Sequence, residues 1–83
     1  MQKNIKENIR GYIMDHANLS KLEDNEKIIE MNYLDSIGVV EFAAWLEKQF
    51  GIRITEEDFS EENFFDLVSM TSFVEKKKGI LRQ

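Results

Sequence analysis

In the segment Asn32-Tyr33-Leu34-Asp35-Ser36-Ile37-Gly38-Val39-Val40-Glu41-Phe42, a carboxylate and a hydroxyl stand side by side between two apolar runs. Asp and Ser are both strong helix N-caps, so the pair can simply start a helix. The other reading is that Ser36 carries chemistry, and the rest of the chain offers little competition for that role. The one histidine, His16, falls at the end of a helical stripe, where a cation suits the helix dipole, and no second group marks it as a base. Glu56, Glu57, Asp58, Glu61 and Glu62 form an acidic run without the glycine and spacing of a calcium loop, and they read as a solvated face. Cysteine is absent, which removes thiol nucleophiles, disulfides and Cys-ligated metals. No Gly-rich phosphate loop is present. The chain is not expected to be an enzyme by itself, and no metal site is expected.

Composition narrows the class further. The chain has 83 residues, no proline and four glycines, which suits one small helical domain over 1–83. It carries 11 basic and 16 acidic residues, a formal net charge of −5. An acidic surface repels phosphate backbones, so nucleic acid is not expected as a partner and a basic protein surface fits better. No stretch is long and apolar enough to span a bilayer, and the N-terminus has the charge alternation of a helix rather than a signal peptide. A cytoplasmic protein without membrane contact is expected.

These residues need elements to hold them. Ile5, Ile9, Tyr12 and Ile13 fall at i, i+4, i+7 and i+8, one stripe of an amphipathic helix that Asn18 stops. Lys3, Lys6, Glu7 and Arg10 take its other side. The segment from Leu19 to Leu34 has no period; Leu19, Leu22, Ile28, Ile29, Met31 and Leu34 are expected to anchor it as a packed loop. A second helix runs from Ser36 to Phe50 and ends at Gly51. Val39, Phe42, Ala43, Leu46 and Phe50 share its core side, and Val39 and Ala43 either pack as core or line a cavity. Ile37, Val40 and Ala44 form a second apolar strip with Glu41 and Glu47 nearby. Trp45 borders the Glu41 side and is expected to pack on the first loop or join a partner surface. Thr55 caps a short helix anchored by Phe59. Asp66 caps a last helix with Leu67, Met70, Phe73 and Val74 in one stripe, Lys76, Lys77 and Lys78 in its last turn and Gly79 after it. The expected fold is all-α: three main helices plus one short helix in a small bundle, a long first loop, a helical core over about 4–78 and a frayed tail at 80–83.

With this order of elements, Leu34-Asp35-Ser36-Ile37-Gly38 and the following "VVEFAAWLEKQFGI" resemble the acyl carrier protein family, which includes the peptidyl and D-alanyl carriers. The later "ITEEDF" and "ENFFDLVSMTSFVEKKK" are similar to the family's third and fourth helices. The resemblance runs from Ile5 to about Lys78. It implies that Ser36 is the attachment site for 4′-phosphopantetheine, taken from coenzyme A by a separate phosphopantetheinyl transferase. It also implies that Asp35 assists that transfer, by hydrogen bonding or through the transferase's metal ion. Cargo would be held on the arm as a thioester. Ile37, Val40, Glu41, Ala44 and Glu47 would form the docking surface for the transferase and for acyl-loading and acyl-using enzymes. A monomer follows, because the docking helix must stay open to several partners.

One departure bears on the pathway. Fatty-acid carriers typically have a strongly acidic second helix, whereas this one has Gly38, Lys48 and Gln49 among only two glutamates. That pattern favours a free-standing carrier of a specialised fatty-acid, polyketide or peptide-type pathway, or an aminoacyl or D-alanyl carrier. The competing class is an unmodified helical interaction module whose apolar strip binds a partner helix.

Overall fold

Helix α1 (Ile5–Ala17) starts where the Asn4 side chain accepts from the Glu7 N–H, and it stops at Asn18, which turns into the left-handed region. The computed structural model to which it belongs describes residues 4–79. The tail expected at 80–83 lies outside the described residues. Ile9 and Ile13 are fully buried, with Ile5 and Tyr12 packed beside them, as the stripe required. Gly11 sits on the exposed side of α1, with open space where a Cβ would go. Gly11→Ala should therefore stabilise the chain by about 0.8–1 kcal/mol, the helix-propensity difference. A higher urea midpoint at unchanged slope is the check.

Arg10, expected on the solvent side, instead ties α1 to the long loop. Its guanidinium bonds Glu7, the Leu22 carbonyl and, at 2.5 Å, the Asp24 carboxylate. Lys6 Nζ reaches the same carboxylate at 2.7 Å. The hydrogen bond from Lys6, then that from Arg10, holds Asp24 below its ordinary pKa. Further along the loop, the Glu26 carboxylate accepts from the Glu23 N–H at 2.8 Å and from the Tyr33 hydroxyl at 2.6 Å. The Ile28 N–H donates to the Phe65 carbonyl, and the Leu67 N–H donates to the Asp24 carbonyl. The second bond satisfies an N–H that the start of the third helix would otherwise leave without a partner. Leu22, Ile28 and Leu34 anchor the loop in the core, but Ile29 and Met31 face outward, Met31 at 55 % exposure. The outward placement of Ile29 and Met31 has a local cause. Residues 29–32 form a turn closed by the Asn32 N–H on the Ile29 carbonyl, and a turn at the surface buries one flank only.

Helix α2 (Ser36–Phe50) and helix α3 (Leu67–Lys78) both end at a glycine with positive φ, Gly51 at 65° and Gly79 at 76°. A 3₁₀ turn, Glu56–Asp58, lies between them. The described residues contain no strand. Ile52 and Ile54 pack on the core, and the Ile54 N–H finds its acceptor in the Glu47 carboxylate at 2.7 Å instead of a neighbouring strand. All four residues of the α3 stripe, Leu67, Met70, Phe73 and Val74, are buried.

Two aromatic placements differ from expectation. Phe59 is 42 % exposed, and Phe64, 4 % exposed, takes the anchoring place instead. Trp45 stacks on Tyr12 of α1 with ring centres 4.5 Å apart and also meets the rings of Phe42 and Phe50.

Lys77 of α3 pairs with Asp58 at 2.7 Å and joins the 3₁₀ turn to the last helix. The Lys77 hydrogen bond, followed by that from the Thr55 N–H, holds the Asp58 carboxyl below its ordinary 3.8. A depressed folded-state pKa stabilises the chain above the unfolded value, and that contribution is lost as pH falls through the folded value. The stability gap between wild type and Asp58→Asn, measured by urea unfolding, should therefore be widest near neutrality and close below about pH 4. A gap that stays constant with pH would remove the pair as its source.

Candidate functional site

The long loop delivers its last residues to α2 through Leu34, which is buried and fixes the position of the next two. Asp35 is extended, and its carboxylate accepts from the Gly38 N–H at 2.7 Å. The Val39 N–H closes the first turn on the Asp35 carbonyl at 2.8 Å. The cap is thus Asp35, and Ser36 is the first residue inside the helix, exposed. Its hydroxyl makes no hydrogen bond among the described residues. The Ser36 and Ile37 N–H groups likewise have no acceptor there, as expected at a helix start. A hydroxyl without structural work, next to two free N–H donors at the positive end of a helix, suits a phosphoester: the donors and the dipole both favour negative charge.

The rest of α2 divides as the spacing required. Phe42, Ala43 and Leu46 are buried, and Val39 and Phe50 are half-buried on the same side. Ile37 is 72 % exposed and Val40 63 %, with Ala44 and Glu41 also exposed. At about 100° per residue, Ser36, Val40, Ala44 and Glu47 fall within one sector of the helix. Ile37, Val40 and Ala44 form an apolar strip running away from the serine. Glu47 differs from Glu41: half-buried and engaged with the Ile54 N–H, it holds the following loop as well as edging the strip.

His16 has a place that the sequence did not reveal. Its ring stacks on Tyr12, 6.0 Å centre to centre and nearly parallel. A Cβ built on Gly38 would come 3.1 Å from His16 Nε2 and 3.1 Å from Asp35 Oδ1. Gly38 therefore lets α1 approach the first turn of α2. The available signal was a glycine at the third position of a helix, where alanine is preferred unless something crowds the site. His16 packs on the Gly38 side of α2, roughly 160° round the helix from Ser36, so the two do not form a nucleophile–base pair.

Among the described residues no group of His, Asp and Glu has the arrangement to hold a metal ion, and no helix is long and apolar enough to cross a membrane. Comparison with curated proteins gave no match. The family model described as a phosphopantetheine attachment site matches residues 9–70, which include the whole loop, all of α2 and the start of α3.

Proposed function

Because the chain belongs to the family of phosphopantetheine attachment domains, a carrier family whose prosthetic group is covalent 4′-phosphopantetheine, we propose that Ser36 is its attachment residue and that it works as a free-standing carrier of acyl or aminoacyl groups. The observation that supports Ser36 most directly is the division of work at the start of α2: Asp35 caps the helix and leaves the serine hydroxyl exposed and unengaged. The residues fit the group. Ser36 would supply the oxygen, and the Ser36 and Ile37 N–H groups would offer donors to the phosphodiester. When bound, the arm supplies a terminal thiol on which cargo is held as a thioester.

In the loading step Ser36 Oγ attacks the pyrophosphate of coenzyme A. A new P–O bond forms to Ser36, the pyrophosphate P–O bond breaks, and the adenosine bisphosphate half leaves with the electron pair. The serine proton passes to a base on the transferase, since His16 lies on another side of α2. Asp35 takes part in the transferase encounter through the carboxylate edge not used by Gly38. Ile37, Val40 and Ala44, with Glu41 and Glu47 at their edge, receive the transferase and the enzymes that load and use the cargo; their exposure supports this role. Carriers of this family are generally non-catalytic, and we assign no catalysis to this chain. We take 1–83 as one carrier domain, monomeric and cytoplasmic, in a specialised fatty-acid, polyketide or peptide-type pathway.

The test is intact mass after incubation of the purified chain with coenzyme A and a broad-specificity transferase. One added phosphopantetheine, mapped to the Ser36 peptide, is expected. An unchanged mass would leave the strip as a plain protein-binding face.

A further inference from the structure

The proposed attachment site leaves open where the cargo rides, and the aromatic core answers this. At about 100° per residue, Ala43 and Val39 fall on α2 between Ser36 and the fully buried Leu46 and Phe42. One route inward for an alkyl chain on Ser36 runs between α2 and α3, where Phe64 lies against Phe42 of α2 and Phe73 of α3. That space is filled by Phe64. Its ring centre lies 6.2 Å from that of Phe42, 5.6 Å from Phe73 and 5.7 Å from Phe59, with edge or tilted contacts on all three sides. Phe42 continues the packing to Tyr12 at 5.3 Å, and Tyr12 to Trp45. Phe42, Leu46, Met70 and Val74 have no exposed surface, and no buried side-chain polar atom among the described residues lacks a partner.

The segment that carries Phe64 is held at both ends. The Phe64 N–H donates to the Ser60 carbonyl, and Asn63 bonds the Asp58 carbonyl and the Ser60 hydroxyl. On its far side, the Phe65 carbonyl accepts from Ile28. Moving the ring outward therefore disturbs the 3₁₀ turn and the long loop together. Two surface hollows lie away from this gap. One, about 510 Å³, is lined by α1 and α3 residues including Ile5, Lys6, Val68 and Thr71; another of the same size lies at the C-terminal end of α2, lined by Glu47 and residues 52–55.

We infer that Phe64 plugs the gap between α2 and α3, so that the chain carries its cargo outside the bundle, in water, and serves short or polar acyl groups, aminoacyl groups included, rather than long alkyl chains. A long alkyl chain left in water keeps its apolar surface hydrated, which favours its association with other apolar surfaces. A short or polar group has no such drive. This inference rests on attachment of the arm at Ser36.

The experiment compares the chain loaded by a transferase from acetyl-, glycyl- or octanoyl-coenzyme A, using thermal melts and amide and aromatic NMR shifts. Intact mass first confirms one arm on Ser36. All three loaded forms are expected to melt within about 1 °C of each other, because no cargo binds the folded state selectively. Shift changes are expected to stay near Ser36 and the exposed strip. Phe64→Leu, which keeps the core apolar but trims the plug, is expected to gain several degrees from octanoyl and nothing from acetyl. An octanoyl-dependent rise of several degrees in the wild-type chain, with shifts at Phe42, Leu46 and Val74, overturns the inference while leaving the attachment site intact. Equal octanoyl responses in wild type and Phe64→Leu remove Phe64 as the plug. A chain that gains no mass at all overturns the attachment proposal and this inference together.

Discussion

Ser36→Ala is expected to show no mass gain under conditions in which the wild-type chain is fully converted, the largest functional effect available in this molecule. The reason is chemical. On the proposed attachment the Ser36 oxygen is the nucleophile, and alanine has none. The fold should barely register the change. Ser36 is exposed, its hydroxyl holds nothing, and the cap belongs to Asp35, so stability should stay within about 0.5 kcal/mol of wild type. Asp35→Ala should behave oppositely on that axis and lose about 1 kcal/mol, the usual cost of removing an N-cap. Measured together by intact mass and urea unfolding, the two variants separate attachment from capping. A Ser36→Ala chain that still acquires the arm would move the site elsewhere, and one that unfolds would return the cap to Ser36.

The largest structural effect is expected at Phe64. Removing a buried phenyl ring typically costs about 3–5 kcal/mol, partly as lost transfer energy and partly as the cavity left behind. Small domains hold only about 5 kcal/mol or somewhat more in reserve, so Phe64→Ala should leave much of the population unfolded near body temperature. Phe59, five residues earlier and 42 % exposed, is the internal comparison. Phe59→Ala should cost about 1 kcal/mol or less. Circular dichroism melts of both decide the matter. Equal losses would mean that the two rings share the anchoring role.

The difference between these two phenylalanines shows where reading the sequence succeeds and where it stops. The ends of α2 and α3 were legible because each carries its own punctuation: Asp35 and Gly51, Asp66 and Gly79. The buried stripe of α3 followed from spacing alone. In "DFSEENFFDL", by contrast, three phenylalanines sit among turn residues without a period. Which one faces inward depends on how the Asp58–Ser60 turn is closed, and only the tertiary contacts decide that. Arg10 was assigned to solvent for a related reason. Its partners Leu22 and Asp24 lie on the loop, 12 and 14 positions away, beyond the reach of any helical pattern. The same holds for His16, whose neighbour Gly38 belongs to another helix. At the candidate site, the start of α2 at Ser36 and the exposed apolar strip were readable. Which of Asp35 and Ser36 caps the helix was not, because both residue types do it well.

The assignment of the cap to Asp35 has a consequence for how traffic on this molecule is sorted. With the hydroxyl outside the hydrogen bonds that hold the helix, adding a group there leaves the scaffold unchanged. If Ser36 carries the arm and Ile37, Val40 and Ala44 receive the partner enzymes, as proposed, an empty and a loaded copy present the same address. Enzymes that read only that address will hold empty copies as firmly as loaded ones, and empty copies become competitive inhibitors. Throughput would then depend on the ratio of charged to uncharged molecules as much as on their total number.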